Sequence, residues 1–167
     1  MRRGAISLDS DYEIIDDEKE PIPRQQKFRN TAIIKSSACI NAISVDHNTW
    51  WNNWNGMLIH VDFDIKNFNQ LKGEIASYFY FNDGVPLKDY DNEYKAPDGT
   101  VAVGAHFIPE FIDTNFRDFQ LFIPYDQLHM AIGKHSLKFQ VIIWDMSQPI
   151  TRELTRSSWI GFWVEQK

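Results

Sequence analysis

Between Met57 and Ile65 the chain alternates without a fault. Met57, Ile59, Val61, Phe63 and Ile65 fall on one side, and Leu58, His60, Asp62 and Asp64 on the other. A period of two places every second side chain on one face of an extended strand, whereas a helix of ~3.6 residues per turn would scatter the same residues around its circumference. A strand with one buried and one wetted face satisfies the pattern.

The same pattern recurs along the chain. Ala32 to Asp46 is rich in Ile but alternates less cleanly, which predicts a strand that bends or bulges midway. Glu74 to Asn82 carries Tyr78-Phe79-Tyr80-Phe81, apolar on both faces, and reads as a central strand covered on both sides. Asn82-Asp83-Gly84 then signals a turn. Val101 to Ile108 stops before Pro109, Phe119 to Ile123 stops at Pro124, Ser136 to Asp145 alternates again, and Ile160 to Glu165 closes the series. Helix has little room: only Pro124 to Met130 suggests a single turn, and no longer window shows an apolar stripe of helical period. Parallel strands need crossover helices, so the sheets should be antiparallel. The expected fold is all-β, an antiparallel two-sheet β-sandwich of about seven to eight strands, with a β-barrel as the alternative. The 12 Phe, 6 Tyr and 6 Trp supply enough area for a core in a chain of 167 residues.

Residues 1–27 differ from the rest. Seven carboxylates (Asp9, Asp11, Glu13, Asp16, Asp17, Glu18 and Glu20) face a single Lys19, and Pro21 and Pro23 follow. Like charges in a run repel, and the few apolar residues there bury too little surface to offset ordering entropy. An extended acidic N-terminal arm or linker is therefore expected over residues 1–27, leading into a β-sandwich domain over 28–167. The segment Asp9 to Glu20 carries the whole net charge of −6, so the domain itself is close to neutral. The arm reads either as a solvated tail or as a docking peptide. In the second case Tyr12, Ile14 and Ile15 add an edge strand or fill a groove on a partner, with the acids steering it to a basic surface.

This balance of charge disfavours nucleic acid, which needs clustered Lys and Arg. The single Cys39 excludes an internal disulfide framework and a multi-thiolate metal site; it reads as a buried, inert thiol in a strand. No apolar run approaches the ~20 residues of a membrane span. The two arginines near the start have no apolar stretch behind them, as a secretory signal would, so a cytoplasmic location is expected.

Three constellations bear on chemistry. His60, Asp62 and Asp64 share one strand face and offer one imidazole and two carboxylates, although an exposed strand face requires polar residues anyway. Asp89, Asp91 and Glu93 stand in a loop at a spacing that resembles calcium ligands. The EF-hand register fails, with Tyr94 where its Gly should stand and Thr100 where its Glu should stand. A polar loop, closed by the turn Pro97-Asp98-Gly99, accounts for them equally. Trp50, Trp51 and Trp54 lie among asparagines and are read as a loop that stacks on sugar rings or grips a peptide, or else plugs the end of the sandwich; Gly56 is read as the turn into the next strand. No nucleophile elbow, Walker loop or H-E-x-x-H run is present, and His47, His60, His106, His129 and His135 form no motif.

Four segments carry a family resemblance: Gly56 to Phe63, Ala76 to Asp89, Phe122 to His129 and Gly133 to Phe139. Over roughly residues 40–145 the chain resembles a poorly characterised all-β accessory module of bacterial multidomain proteins, a C2-like or Ig-like sandwich. The resemblance implies an accessory binding or localisation unit without a catalytic set. The chain lacks the large partner domain of that pattern, which points to a stand-alone subunit. The expected function is a non-enzymatic adaptor that binds another protein, alone or within a homo-oligomer or larger assembly. The alternative is a ligand-binding module, for glycan through the Trp residues or for calcium through the Asp-rich loop. No cofactor is expected.

Overall fold

The computed structural model describes residues 35–167. The acidic arm, with Tyr12, Ile14 and Ile15, and the boundary expected between residues 27 and 28 lie outside them.

The described chain forms eight strands: β1 (Ser37–Trp51), β2 (Trp54–Lys66), β3 (Gly73–Phe81), β4 (Ala102–Phe107), β5 (Asp113–Pro124), β6 (Gly133–Asp145), β7 (Arg152–Arg156) and β8 (Ile160–Gln166). One 3-10 turn, Tyr125–Leu128, links β5 towards β6, where the sequence suggests a single turn. Every strand pairing is antiparallel. The first sheet runs β1-β2-β5; the second runs β4-β3-β6-β7, with β8 also on β6. The two sheets pack face to face as a β-sandwich and do not close into a barrel. No helix among the described residues is long and apolar enough to cross a membrane.

The alternation of β2 decides the packing. Met57, Ile59, Val61, Phe63 and Ile65 are all fully buried. They meet Ile75, Phe79, Leu137, Phe139, Val141 and Ile143 of the second sheet in one core. Phe63 stands at the centre of an aromatic cluster, with ring centroids 4.5 Å from Phe116 and 5.3 Å from Phe107. Burial of such a ring contributes roughly 1.5–3 kcal/mol.

Register shifts explain where the alternation breaks. β1 carries one extra residue opposite β2 between Ile40 and Ala42, and another between Asp46 and Thr49. Each bulge flips the inward side, so Ala38 and Ile40 point inward first, then Ile43 and Val45. β5 has a similar bulge at Arg117 and Asp118, which lets both Phe116 and Phe119 pack on the core.

Four expectations need correction. Cys39 is exposed, because the parity before the first bulge turns it outward on β1, which lies at the edge of its sheet. β3 is central in its sheet but not covered on both sides: Phe79 is buried, Tyr78 and Tyr80 are half-buried on the outer face, and Phe81 is exposed. Trp50, Trp51 and Trp54 belong to strands, not to a loop: Asn52 and Asn53, both at positive φ (47° and 67°), make the two-residue turn of the β1-β2 hairpin. Gly56 is not a turn. It lies within β2 opposite Pro124, where a Cβ would stand 2.3 Å from the Ile123 carbonyl oxygen.

Candidate functional site

The site begins with a hairpin that outruns its neighbour. β2 pairs with β5 only as far as Gly56 opposite Pro124, so Trp54 and Asn55 and their partners on β1 project past the end of β5. The second bulge of β1 sits at the base of this projection and turns His47 and Asn48 towards Tyr125. Tyr125 Oη accepts from the Asn48 backbone N–H at 3.2 Å and shares a hydrogen bond of 3.1 Å with His47 Nδ1. The Tyr125 carbonyl accepts from Gln166 Nε2 at 2.7 Å, which ties in the end of β8. Burial pushes the Tyr125 phenol above its ordinary pKa, so it stays protonated and keeps both roles. His47 also stacks on Phe162 at 6.3 Å. Hairpin, 3-10 turn and β8 are thereby fixed around one open groove of about 940 Å³.

Three indoles line it: Trp50 and Trp54 from the hairpin and Trp163 from β8. Trp50 and Trp163 are each 71% exposed, unusual for the largest apolar side chain. Asn53 and Asn55 stand beside them, and Asn55 Oδ1 is buried without a hydrogen-bond partner. The charged groups of the groove, Asp126 and Glu165 against Lys134 and Lys167, balance. The arrangement offers flat apolar faces edged by amides, with no net field.

The structure thus divides the three tryptophans of the sequence. Trp51, paired with Trp54 across the hairpin, does not line the groove; its ring lies 6.2 Å from Phe122. Trp163 was missed although the alternation marks it: Phe162 and Val164 are buried, and Trp163 between them points out.

The acidic loop is built differently. Asp89 Oδ1 accepts from the Asp91 N–H at 3.2 Å and pairs with His129 Nε2 at 3.1 Å; Asp91 Oδ1 is 3.8 Å from the same nitrogen. Glu93 stands apart from this group and accepts from Gln127 Nε2 at 3.4 Å. His129 was not tied to these acids from sequence, because it lies 40 residues away at the end of the 3-10 turn. Burial, the largest single effect, pushes the Asp89 carboxyl up, but the hydrogen bonds with His129 and Asp91 and from the backbone N–H groups of Asp91 and Asn92 together hold it below the usual range.

His60, Asp62 and Asp64 share the outer face of β2 but do not converge. His60 bonds Asp118 of β5 and, at 3.3 Å, Asp46 of β1. Asp62 accepts from the Asp118 N–H at 2.8 Å, and Asp64 accepts from Asn115 and Arg117. His135 donates to the Ala131 carbonyl and does not meet His129. Neither a protein-family model nor a curated protein matches the chain.

Proposed function

We propose that the protein is a non-enzymatic binding module whose ligand is a neutral glycan segment held in the groove between the β1-β2 hairpin and β8. The observation that carries this reading is the trio Trp50, Trp54 and Trp163 on one open groove, edged by amides and free of net charge. Sugar rings present flat C–H faces and a rim of hydroxyls. Indoles accept the faces, and amides such as those of Asn53 and Asn55 exchange two-way hydrogen bonds with the rim. A charged polymer would ask for an excess of one sign, which the pairs Asp126/Lys134 and Glu165/Lys167 do not supply.

The test is binding of the full chain to an array of neutral oligosaccharides, followed by titration of the best ligand against Trp50→Ala, Trp163→Ala and Trp51→Ala. Loss of at least tenfold in affinity is expected for the first two, and little change for Trp51→Ala. Equal binding by all three variants, or no retained glycan, sinks the reading.

A second reading, an adaptor that holds another protein, draws on a different observation. Ile108, Phe111 and Ile112 are all exposed in the connection between β4 and β5. Such a run suits an apolar anchor in a protein interface. Partner recovery by the full chain should fall on Phe111→Ser if this surface docks, and on removal of residues 1–27 if the acidic arm does.

A further inference from the structure

A second site lies where the loop after β3 meets the 3-10 turn. Three potential ligand atoms converge there, from Asp89, Asp91 and His129, all within 4.8 Å of one another. Two of the separations, 3.1 Å from His129 to Asp89 and 3.8 Å to Asp91, bracket the roughly 3.3 Å edge of a tetrahedron with bonds of ~2.0–2.1 Å. The set mixes an imidazole with two carboxylates, and the imidazole comes from a distant part of the chain.

An independent observation concerns Asp89. Its side chain is fully buried, and its Oδ2 has no hydrogen-bond partner. Its Oδ1 meanwhile serves both the Asp91 N–H and His129. A buried carboxylate with one oxygen doubly engaged and the other unmatched is costly to hold unless a cation completes it. Asp91 and His129 keep part of their side chains exposed, 42% and 18%, so an ion has a path in and room for a solvent ligand.

We propose that Asp89, Asp91 and His129 bind one divalent transition-metal ion of the zinc class. Imidazole with two carboxylates suits such borderline ions, whereas calcium seeks six to eight oxygens and does not choose nitrogen. His129 Nε2 ligates from the neutral ring, with the proton on Nδ1. Bound there, the ion clamps the long β3-β4 connection to the end of the 3-10 turn; it acts as a brace and performs no reaction. The site is separate from the tryptophan groove, and neither proposal depends on the other.

The experiment titrates the full chain with Zn²⁺ alone, by calorimetry and by thermal unfolding, with Ca²⁺ in parallel. One equivalent of zinc should bind. At about 100 times Kd it should raise Tm by roughly 10 °C, with no rise from calcium. Asp91→Asn and His129→Gln, both on partly exposed side chains, should each weaken binding at least tenfold and abolish the rise. His60→Gln and Cys39→Ser should leave both intact. Three outcomes overturn the proposal: no zinc binding by the native chain, undiminished binding by both site variants, or loss of binding in His60→Gln, which would place the ion on the outer face of the first sheet. A response to calcium equal to that to zinc would overturn the assignment of ion class.

Discussion

The two sheets turn similar faces inward and different faces outward. Inside, β2 and β6 each present unbroken apolar rows to the same core. Outside, the first sheet is a charge network. His60 sits between Asp46 and Asp118, Asp62 holds the Asp118 N–H, and Arg117 pairs with Asp64 at 3.1 Å. The outer face of the second sheet is aromatic. Trp144 Nε1 donates to Tyr78 Oη at 3.0 Å, Tyr80 meets Trp159 edge-on at 5.1 Å, and the Lys138 ammonium lies 4.6 Å from the Trp159 ring. Alternation fixes which side chains point out, but not how the outer face is held. The first face should respond to pH and salt, and the second, apart from the Arg156–Glu153 pair at its β7 edge, to loss of shape.

The comparison breaks most readily at the shared core. Phe63→Ala on the first sheet and Phe79→Ala on the second should each cost about 3–5 kcal/mol in urea unfolding, since both rings are fully buried. A cost below about 1 kcal/mol for either would mean that the sheets do not share the core evenly. Trp144→Phe keeps the ring area and removes one hydrogen bond, so about 1 kcal/mol is expected. That loss should be the same from about pH 6 to pH 8, because Tyr78, pushed up by burial, stays protonated throughout. A loss that varied strongly with pH would erase the contrast.

The smallest effect is the most diagnostic. The hydrogen bond to Asp118, then the charges of Asp118 and Asp46, raises the His60 pKa above 6.5 despite the opposing effect of burial. The protonated ring is therefore favoured in the folded state. Its stabilisation is fully present below the unfolded pKa and is lost as pH rises through the higher folded value. Asp118, lowered mainly by the same hydrogen bond, contributes above its unfolded pKa and loses that contribution as pH falls through its folded value. His60→Gln should therefore destabilise at pH 6 and approach neutrality at pH 8, and salt should shrink the difference. A pH-independent cost would show that packing, not charge, decides this face as well.

The sandwich was legible because the central strand of its first sheet alternates cleanly, and Met57 to Ile65 sufficed to orient that sheet. β7 escaped notice: Arg152 to Arg156 is short, mostly polar and lies along the edge of β6, so it carries no apolar row. Cys39 misled because a bulge moves parity without leaving a mark in composition. Of the groove, Trp50 and Trp54 could be found by residue type, and Trp163 by its place between two buried neighbours. The floor could not, since His47, Asn48 and Tyr125 meet only through a bulge and a 3-10 turn far apart in sequence. The Asp89-His129 pairing was hidden for the same reason.

The second bulge of β1 has a bearing on how such a groove could change over generations. Trp50 pairs with Asn55 and Trp51 with Trp54 across the hairpin, so adjacent tryptophans look to opposite sides. Deleting the extra residue at the bulge, Asn48 for instance, would leave Asp46 opposite Leu58 and Thr49 opposite Gly56, so the tip would keep its register and its facing and lose only the turn of His47 and Asn48 towards Tyr125. The core rows on β2 would keep their places, because the tip extends past the end of β5. A single-codon deletion could therefore take away the floor of the groove while sparing both its tryptophans and the interior, so the recognition surface can drift faster than the fold that carries it.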